Sequence, residues 1–328
     1  MSAEAAHRLE PVLVTFLAAA AELTDDAPPH ETLAARRERE RRTSDALFER
    51  FGERGPDVHS VDELEVPVSG ASIRVRLYRP VRRQRLPLHV VLHGGGWQAG
   101  SVDELVVDAT CRERAVAAQC AVASVDYRLA PQHPFPTPLE DSYAAVAWLV
   151  AHADGLALDA RAPSLGGGSA GGNLAAAVAL LCRDRGGPRL GHQLLEVPAL
   201  DLDVESLAPG LFDGAVDLPK PVLHAAAVTY AAGTPLDHPL LSPLRADLAG
   251  LPPAHIMTAG RDPLREQGVA YARRLRSAGV SATHSQHPDA LHGSGFLTGS
   301  WDVARRWRDE VLDVLATVHG AARSAARS

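Results

Sequence analysis

A serine within a run of glycines could act as a nucleophile. Residues 165–174 read LGGGSAGGNL, and residues 167–171 fit the pattern G-x-S-x-G. In that pattern the serine occupies a strained turn between a strand and a helix, and small neighbours let the chain fold back on itself. A developing negative charge there is stabilised by the N-terminus of the following helix. The pattern predicts Ser169 as a nucleophile, although a structural glycine turn would produce the same pentapeptide.

The same glycines could instead hold a phosphate group. A P-loop ends in lysine followed by serine or threonine, and no such pair follows here. A dinucleotide-binding turn needs an acidic residue at the end of the next strand. Asp201 lies near such a position, but Ser169 and Asn173 do not suit that pattern. The residues therefore favour a nucleophile over a phosphate site.

A second glycine run could supply hydrogen-bond donors to a reacting carbonyl group. Residues 93–97 read HGGGW and follow an apolar strand. Backbone N–H groups stabilise the oxyanion of a tetrahedral intermediate, and glycines leave the approach to them open. The predicted donors are Gly94, Gly95 and Ala170, the last being the residue after the nucleophile. Taken alone, HGGGW could be a tight loop; paired with the serine motif, it predicts an oxyanion hole.

A reactive serine also needs a histidine base and a carboxylate that orients the histidine. In one known arrangement of this triad the order along the chain is serine, acid, histidine. Asp262 follows a predicted strand that ends near Met257, so we expect it to be the acid. Asp201 and Asp203 are rivals, because they follow an earlier strand.

The histidine of such a triad is expected after the last strand. His292, in the segment ALHGSGF, occupies that position and is the predicted base. His284 and His287 lie within or at the end of the last predicted strand, so we expect them to be structural or exposed.

The predicted secondary structure places these residues at one edge of a sheet. Apolar strands alternate with helices from about residue 86 onward, which indicates an α/β fold with a mostly parallel sheet and helices on both faces. Ligands of such sheets lie beyond the carboxyl ends of the strands. The predicted strands are residues 73–80, 86–96, 121–127, 160–166, 192–202, 254–264 and 281–288, and the predicted helices are residues 102–120, 138–153, 173–187, 265–279 and 301–320.

Two segments lie outside this alternation. Residues 8–50 are predicted to be helical with a break at residues 25–30, which contain paired prolines. The segment 205–237 is rich in alanine, proline and leucine, and we expect it to form a helical cap with the N-terminal helices. The predicted division is therefore an N-terminal cap segment 1–50, core parts 51–204 and 238–320, a cap insertion 205–237 and a frayed tail 321–328.

The composition is that of a globular protein without an affinity for nucleic acid. Of 328 residues, 46% are hydrophobic, and the net charge is −7. The segment ARRERERR at residues 35–42 interleaves both signs of charge, so we interpret it as a solvated helix face.

The cysteines and the N-terminus predict a cytoplasmic protein. Cys111, Cys120 and Cys182 form no even framework and no CxxC pair, which is typical of buried structural thiols in a reducing compartment. The apolar residues 10–23 lack a basic n-region and a cleavage site, and they are too few to span a bilayer. We expect an amphipathic helix there and no membrane anchor.

Several segments together resemble the hormone-sensitive-lipase-like esterases of the α/β-hydrolase fold. They span about residues 70–297 in the family's order: HGGGW, VDYRLAPQHPFPTPLEDSYAAVAWL, GGSAGGNLA, SPLRADLAGLPPAHIMTAGRDPLREQG and LHGSGF. The block YRLAP, HPFP and LED is especially specific. The resemblance implies a capped fold in which Ser169 is the nucleophile, His292 the base and then the acid, and Asp262 its orienter. It implies no metal or organic cofactor, and it implies a homodimer, as in many relatives.

The chain departs from the family's pattern at four places. Gly168 stands where the family usually has an aspartate that braces neighbouring loops, and Gln132 stands where it usually has glutamate. Pro163 lies in the strand that leads to Ser169, where it cannot donate a ladder hydrogen bond. The segment HGSGF carries two residues more than the usual His-Gly-Phe.

These features predict a carboxylic-ester hydrolase that acts on short-to-medium acyl esters through an acyl-enzyme on Ser169. Trp97, Phe212 and Tyr230 are candidate pocket residues, although each could equally belong to core or cap packing. The same triad could serve an acyltransferase, an amidase or a lactonase. A catalytically silent small-molecule receptor is a further alternative, which the departures at Gly168 and Pro163 keep open. The expected partner is a small ester, without nucleic acid.

Overall fold

Eight strands form a single sheet in which the central strands are parallel. The computed structural model describes residues 9–24, 30–82, 85–207, 212 and 217–325. The strand order is β1-β2-β4-β3-β5-β6-β7-β8; β2 runs antiparallel to both of its neighbours, and the pairs from β4 to β8 are parallel. The strands are β1 Ser60–Val68, β2 Ala71–Arg79, β3 Leu86–Leu92, β4 Ala121–Val125, β5 Leu158–Gly168, β6 His192–Glu196, β7 Ala254–Ala259 and β8 Ala282–His287.

Helices cover both faces of the sheet, as the sequence predicts for an α/β fold. Strands β3, β4 and β7 are buried at every position, because a parallel sheet between two helical layers has no solvated face. Val90 and Val91 are adjacent in β3 but belong to two separate apolar cores, one on each face. The helices are α1 Pro11–Thr24, α2 Leu33–Phe51, α3 Leu105–Ala118, α4 Thr137–Ala151, α5 Ala170–Asp184, α6 Lys220–Ala231, α7 Arg265–Ser277 and α8 Asp302–Ala325.

Strand β1 is not predicted from the sequence. This strand pairs with β2 at the end of the sheet, and most of its residues are at least partly exposed. It carries three acidic residues and Pro67, which hide the apolar alternation that would reveal a strand. Edge strands often carry charges and proline, because these residues prevent further pairing.

A bulge accommodates Pro163 in β5. Pairing between β3 and β5 is regular from Ser164 to Gly167, but the register shifts between Asp159 and Ser164. Pro163 lies in this irregular stretch, and its carbonyl oxygen accepts a hydrogen bond of 2.9 Å from the N–H of Gly191. The hydrogen-bond ladder of β5 is therefore regular again from Ser164 onward, in the strand residues that lead to Ser169.

Helix α2 has a solvated face and is also bound to two loops of the core. Thr32 caps its N-terminus by accepting a hydrogen bond from the N–H of Ala35, at 3.2 Å. The predicted solvated face at residues 35–42 does form intrahelical ion pairs, such as Arg36 with Glu40. Arg37 is the exception, because its guanidinium turns inward and binds backbone carbonyls of two core loops.

Some sequence predictions fall partly outside the described residues. The predicted helix break at residues 25–30 does so, as do residues 208–211 and 213–216 of the insertion. Helix α8 continues to Ala325, so the first five residues of the predicted frayed tail 321–328 are helical, and residues 326–328 lie outside the described part. Within the part of the chain that is described, no helix combines the length and apolar character needed to cross a membrane.

Candidate active site

Ser169 lies in a strained turn between β5 and α5. Its backbone has φ 56° and ψ −118°, a conformation that side-chain-bearing residues rarely adopt. The N–H of Ser169 donates a hydrogen bond of 2.9 Å to the carbonyl of Glu196. Gly171 lies so close to β3 that a Cβ atom there would be 2.0 Å from the carbonyl oxygen of Leu92. Strand, turn and helix thus have the geometry of a nucleophile elbow.

His292 connects Ser169 with Asp262. Its Nε2 atom lies 2.8 Å from Ser169 Oγ, and its Nδ1 atom lies 2.9 Å from Asp262 Oδ2. An ionised carboxylate can only accept, so Nδ1 carries the proton and Nε2 accepts from the serine hydroxyl. The imidazole is therefore oriented as a general base for Ser169. The structure brings together the three side chains that the sequence analysis named.

Asp262 is fixed by the loop that follows β7. Its side chain is fully buried, and Oδ1 accepts a hydrogen bond of 2.9 Å from the N–H of Leu264. Its own N–H donates to the carbonyl of Ala259, at 3.2 Å. One carboxylate oxygen is thus held by the backbone, and the other is directed at His292.

The surroundings of His292 favour its protonated form. Burial would lower the pKa of the imidazole, but the charge of Asp262, the hydrogen bond to it and the charge of Asp217 together raise the pKa above its usual 6.5. The histidine is consequently a stronger base than a free imidazole.

The rival residues have structural partners. Asp201 and Asp203 both form ion pairs with Arg245, at 3.1 Å. His284 binds a threonine hydroxyl at 2.9 Å, and His287 binds a glutamate at 2.8 Å. None of these residues is hydrogen-bonded to Ser169 or His292 in the described part of the chain.

A second serine–histidine pair lies within the sheet, with the histidine on β3 and the serine on β5. His89 Nδ1 is 2.7 Å from Ser164 Oγ, and both side chains are completely buried. Burial and the adjacent charge of Arg114 hold the pKa of His89 well below its usual 6.5. No described carboxylate is hydrogen-bonded to this imidazole, and both side chains are inaccessible to solvent, so we interpret the pair as structural.

The glycine loop after β3 faces the elbow. A Cβ atom on Gly94 would lie 3.3 Å from Gly168 O and 3.7 Å from the Cβ of Ser169. The N–H groups of Gly94 and Gly95 donate no hydrogen bond to any described residue. Gly95 has φ +111°, which requires glycine. Two unused donors therefore lie beside the serine, and Ala170, at the N-terminus of α5, supplies a third.

Two side chains hold this loop in place. The hydroxyl of Tyr127 donates to the carbonyl of His93 at 2.7 Å, and the two rings stack 4.2 Å apart. Arg37 of α2 donates to the carbonyls of Gln98, at 2.9 Å, and Ala130, at 2.8 Å. The sequence does not predict this role of Arg37, because nothing in a run of alternating charges distinguishes an arginine that turns inward.

A cavity of about 880 Å³ opens at Ser169 and His292. Its walls come from the glycine loop, from helices α2, α3, α6 and α8, and from residues near α6 such as Leu218. Trp97 is one of the residues that line it. Tyr230 and Phe212 do not belong to the wall: Tyr230 is fully buried and stacks behind Trp97 at 4.7 Å, and Phe212 lies beneath the ammonium group of Lys220.

Glu196 braces the elbow from the neighbouring strand. It pairs in register with Gly168, and its carboxylate is bound by the guanidinium of Arg114 and by Trp307 Nε1, the latter at 2.8 Å. The side chains of Arg114 and Glu196 are both almost buried. An ion pair on β6 and α3 therefore lies beside Gly168, the position without a side chain.

The loop after β8 contains the two additional residues of HGSGF. Ser294 Oγ accepts a hydrogen bond from the N–H of Leu291 at 2.9 Å, which closes the turn around His292. Phe296 then packs against Phe16 of α1, with ring centroids 6.4 Å apart. The segment HGSGF thus links the histidine loop to the N-terminal helix α1.

Asp217 was not anticipated from the sequence. Its Oδ2 accepts a hydrogen bond of 2.7 Å from the N–H of Gly293, the residue after His292. Its Oδ1 is buried and has no hydrogen-bond partner among the described residues. No sequence signal indicates this contact, because it depends on how the insertion folds back over the site.

The remaining candidates for chemistry are inert. All three cysteines are buried, as predicted, and form no disulfide among the described residues; burial raises the pKa of Cys111 and Cys182 to about 12. Among the residues covered by the structure, no group of three or more histidine, cysteine, aspartate or glutamate side chains could hold a metal ion.

Comparison with known protein families identifies the fold. A family model described as the alpha/beta hydrolase fold matches residues 89–297, which is more than half of the chain. The chain belongs to this alpha/beta hydrolase family. The predicted fold class and the prediction of a hydrolytic enzyme are thereby confirmed.

Several proteins similar to this alpha/beta hydrolase are named esterases. A carboxylesterase, NlhH, from Mycobacterium tuberculosis is 43% identical over 242 residues, which cover 71% of this chain and 75% of the relative. A hyperthermophilic esterase from Pyrobaculum calidifontis superposes with a TM-score of 0.83 at 33% identity, covering 94% and 98% of the two chains. A mutant of an alpha/beta hydrolase enzyme from the metagenome of Lake Arreo gives a TM-score of 0.85 at 34% identity, covering 95% and 99%.

Proposed function

We propose that this alpha/beta hydrolase is a serine carboxylesterase of the hormone-sensitive-lipase-like type, acting on esters with short-to-medium acyl groups. The observation that carries the proposal is the position of His292, which is 2.8 Å from Ser169 Oγ and 2.9 Å from Asp262 Oδ2. These are hydrogen-bond distances that allow proton transfer from the serine hydroxyl.

In the first half-reaction Ser169 Oγ attacks the carbonyl carbon of the ester while His292 Nε2 takes the hydroxyl proton. The tetrahedral oxyanion accepts hydrogen bonds from the N–H groups of Gly94, Gly95 and Ala170. Asp262 stabilises the imidazolium that forms. His292 then gives its proton to the leaving alcohol as the carbon–oxygen bond breaks, and the acyl group remains on the serine.

In the second half-reaction water replaces the alcohol. His292 removes a proton from the water as its oxygen attacks the acyl carbon, and the same three N–H groups bind the new oxyanion. The proton returns to Ser169 Oγ as the acyl–serine bond breaks. A carboxylic acid leaves, and no atom other than those of the ester and water is consumed.

The cavity wall supports a small, largely apolar substrate. Leu218, Val222, Leu223 and Val107 contribute aliphatic groups to the wall of the cavity that contains Ser169. The names of the relatives, carboxylesterase and esterase, point to the same substrate class. We further propose that α1, α2 and the insertion 205–237 form a cap over this cavity. A cytoplasmic location and a homodimer stay predictions from the sequence.

The test is hydrolysis of p-nitrophenyl esters with two to twelve acyl carbons by the wild type and by Ser169→Ala. We expect hydrolysis by the wild type and only background hydrolysis by the variant, since the acyl-enzyme cannot form. The matched control is Ser281→Ala, which removes an exposed hydroxyl from the residue before β8 and should retain full activity.

Labelling with a fluorophosphonate separates the remaining alternatives. An activated Ser169 reacts with this probe even when no simple ester is a substrate. Labelling without ester hydrolysis would therefore indicate an amidase, a lactonase or an acyltransferase. A receptor with an inactive serine would bind small molecules without becoming labelled. Failure of both hydrolysis and labelling would refute the proposal.

A further inference from the structure

A second carboxylate lies beside the histidine loop. Asp217 belongs to the insertion 205–237, yet its Oδ2 is 2.7 Å from the N–H of Gly293. This bond fixes the residue that directly follows His292. The other oxygen, Oδ1, is buried and accepts no hydrogen bond within the described structure. A buried carboxylate that uses only one of its oxygens is costly, so a role besides stability is expected.

The charges around His292 come from two sides. Asp262, on the loop after β7, binds Nδ1, and Asp217 approaches from the insertion. These two carboxylates are the charged groups that act on the imidazole within the described structure. Burial and, to a smaller extent, the charge of Asp262 raise the pKa of Asp217, while the imidazolium charge and the N–H of Gly293 oppose that rise. Asp217 and a protonated His292 therefore stabilise each other's charged forms.

Asp217 also adjoins the substrate cavity. The next residue, Leu218, forms part of the cavity wall, and helix α6 begins two residues later. The same short stretch thus contacts both the cavity and the loop that carries the base. No other described residue of the insertion donates to or accepts from residues 291–294.

We propose that Asp217 is a positioning residue that holds the loop of His292 and stabilises the imidazolium formed during ester hydrolysis. The inference rests on the proposed function, because it assigns Asp217 a role in that reaction. The bond to Gly293 fixes where Nε2 lies relative to Ser169. The negative charge favours the protonated histidine that appears in each transition state, in addition to the effect of Asp262.

The experiment compares Asp217→Asn and Asp217→Ala with the wild type. Asparagine keeps an oxygen that accepts from Gly293 but loses the charge, whereas alanine loses both. We expect Asp217→Ala to lower kcat about tenfold with KM nearly unchanged, and Asp217→Asn to recover part of that loss. The control, Glu205→Gln, removes an exposed charge from the same insertion that pairs with Lys220, and it should behave as the wild type.

The decisive measurement is the titration of His292, followed by NMR in protein with isotope-labelled histidine and assigned with a His292→Gln variant. The pKa of His292 should be lower in Asp217→Asn, and the acid limb of kcat/KM should move to lower pH. A purely structural role would leave both unchanged. An unaltered titration in a folded Asp217→Asn overturns the inference.

The two proposals fail in different ways. The NMR titration needs no turnover, so it reports on Asp217 even if no ester is hydrolysed. Wild-type hydrolysis that depends on Ser169, together with an unmoved His292 pKa, overturns only the role of Asp217. A wild type that neither hydrolyses esters nor reacts with a fluorophosphonate overturns the proposed function.

Discussion

Two glycines on either side of Ser169 differ sharply in the space around them. A Cβ atom on Gly171 would lie 2.0 Å from the carbonyl oxygen of Leu92 and 2.6 Å from that of His93. A Cβ atom on Gly168 would meet only the carbonyl oxygen of Glu196, at 3.8 Å, which is an ordinary contact. Gly168→Ala should therefore be tolerated, and Gly171→Ala should not.

The damage expected from Gly171→Ala follows from what must move. Backbone oxygen and a Cβ atom do not approach within 3.0 Å, so helix α5 and the end of β3 must separate by at least 1.0 Å. Overpacking of this kind costs typically about 1–3 kcal/mol of stability. The displaced segment leads directly into Gly94, and a misplacement of ~1 Å in a catalytic group can lower the rate about 100-fold.

The assay is kcat/KM on a p-nitrophenyl ester, together with urea unfolding and the rate of fluorophosphonate labelling. We expect a loss of about 100-fold in kcat/KM for Gly171→Ala and less than about threefold for Gly168→Ala. Labelling reports the folded fraction that still has a reactive serine. If both variants kept wild-type activity, or both lost activity to the same extent, the close approach of α5 to β3 would not be what positions the oxyanion donors.

Two further predictions concern charged groups near the site. Arg114→Met should lower the free energy of unfolding in urea by about 3–5 kcal/mol, because the almost buried carboxylate of Glu196 then lacks its cation. Arg36→Met removes an exposed pair and should change stability by less than about 0.5 kcal/mol; similar losses for both would contradict the argument. Burial raises the pKa of Glu104 to about 7 despite its hydrogen bond to Ser44. Between about pH 4.5 and 7 the native state therefore holds a proton that the unfolded state has released. The free energy of unfolding consequently falls as pH rises through that range. Glu104→Gln should accordingly raise Tm at pH 8 but not at pH 4, and a gain of equal size at both would refute the assignment.

The residues of the candidate site can be named from the sequence because their signals are local. The turn at Ser169, the glycines after β3 and the positions of Asp262 and His292 after their strands are all patterns within a few residues. Parallel strands end at one edge of the sheet, so these local signals converge in space without knowledge of packing.

The contacts that the sequence analysis missed join segments that are distant in the chain. Asp217 meets Gly293 across 76 residues, and Glu196 meets Arg114 across 82. The sequence also could not separate wall from core among aromatic residues: Trp97 and Tyr230 stack on each other, yet only Trp97 borders the cavity. Such differences depend on a few ångströms of packing, which residue type and periodicity do not encode.

The end of helix α2 is closed by residues almost 250 positions further along the chain. The N–H of Gly299 and the hydroxyl of Ser300 both donate to the carbonyl of Phe51, and Thr298 Oγ1 accepts from the N–H of Glu53. A ribosome makes Phe51 long before these partners, so α2 has no such anchor during most of synthesis. Contacts of this sequence separation form slowly. The glycine loop that Arg37 holds should therefore reach its final geometry only after the histidine loop has emerged and docked.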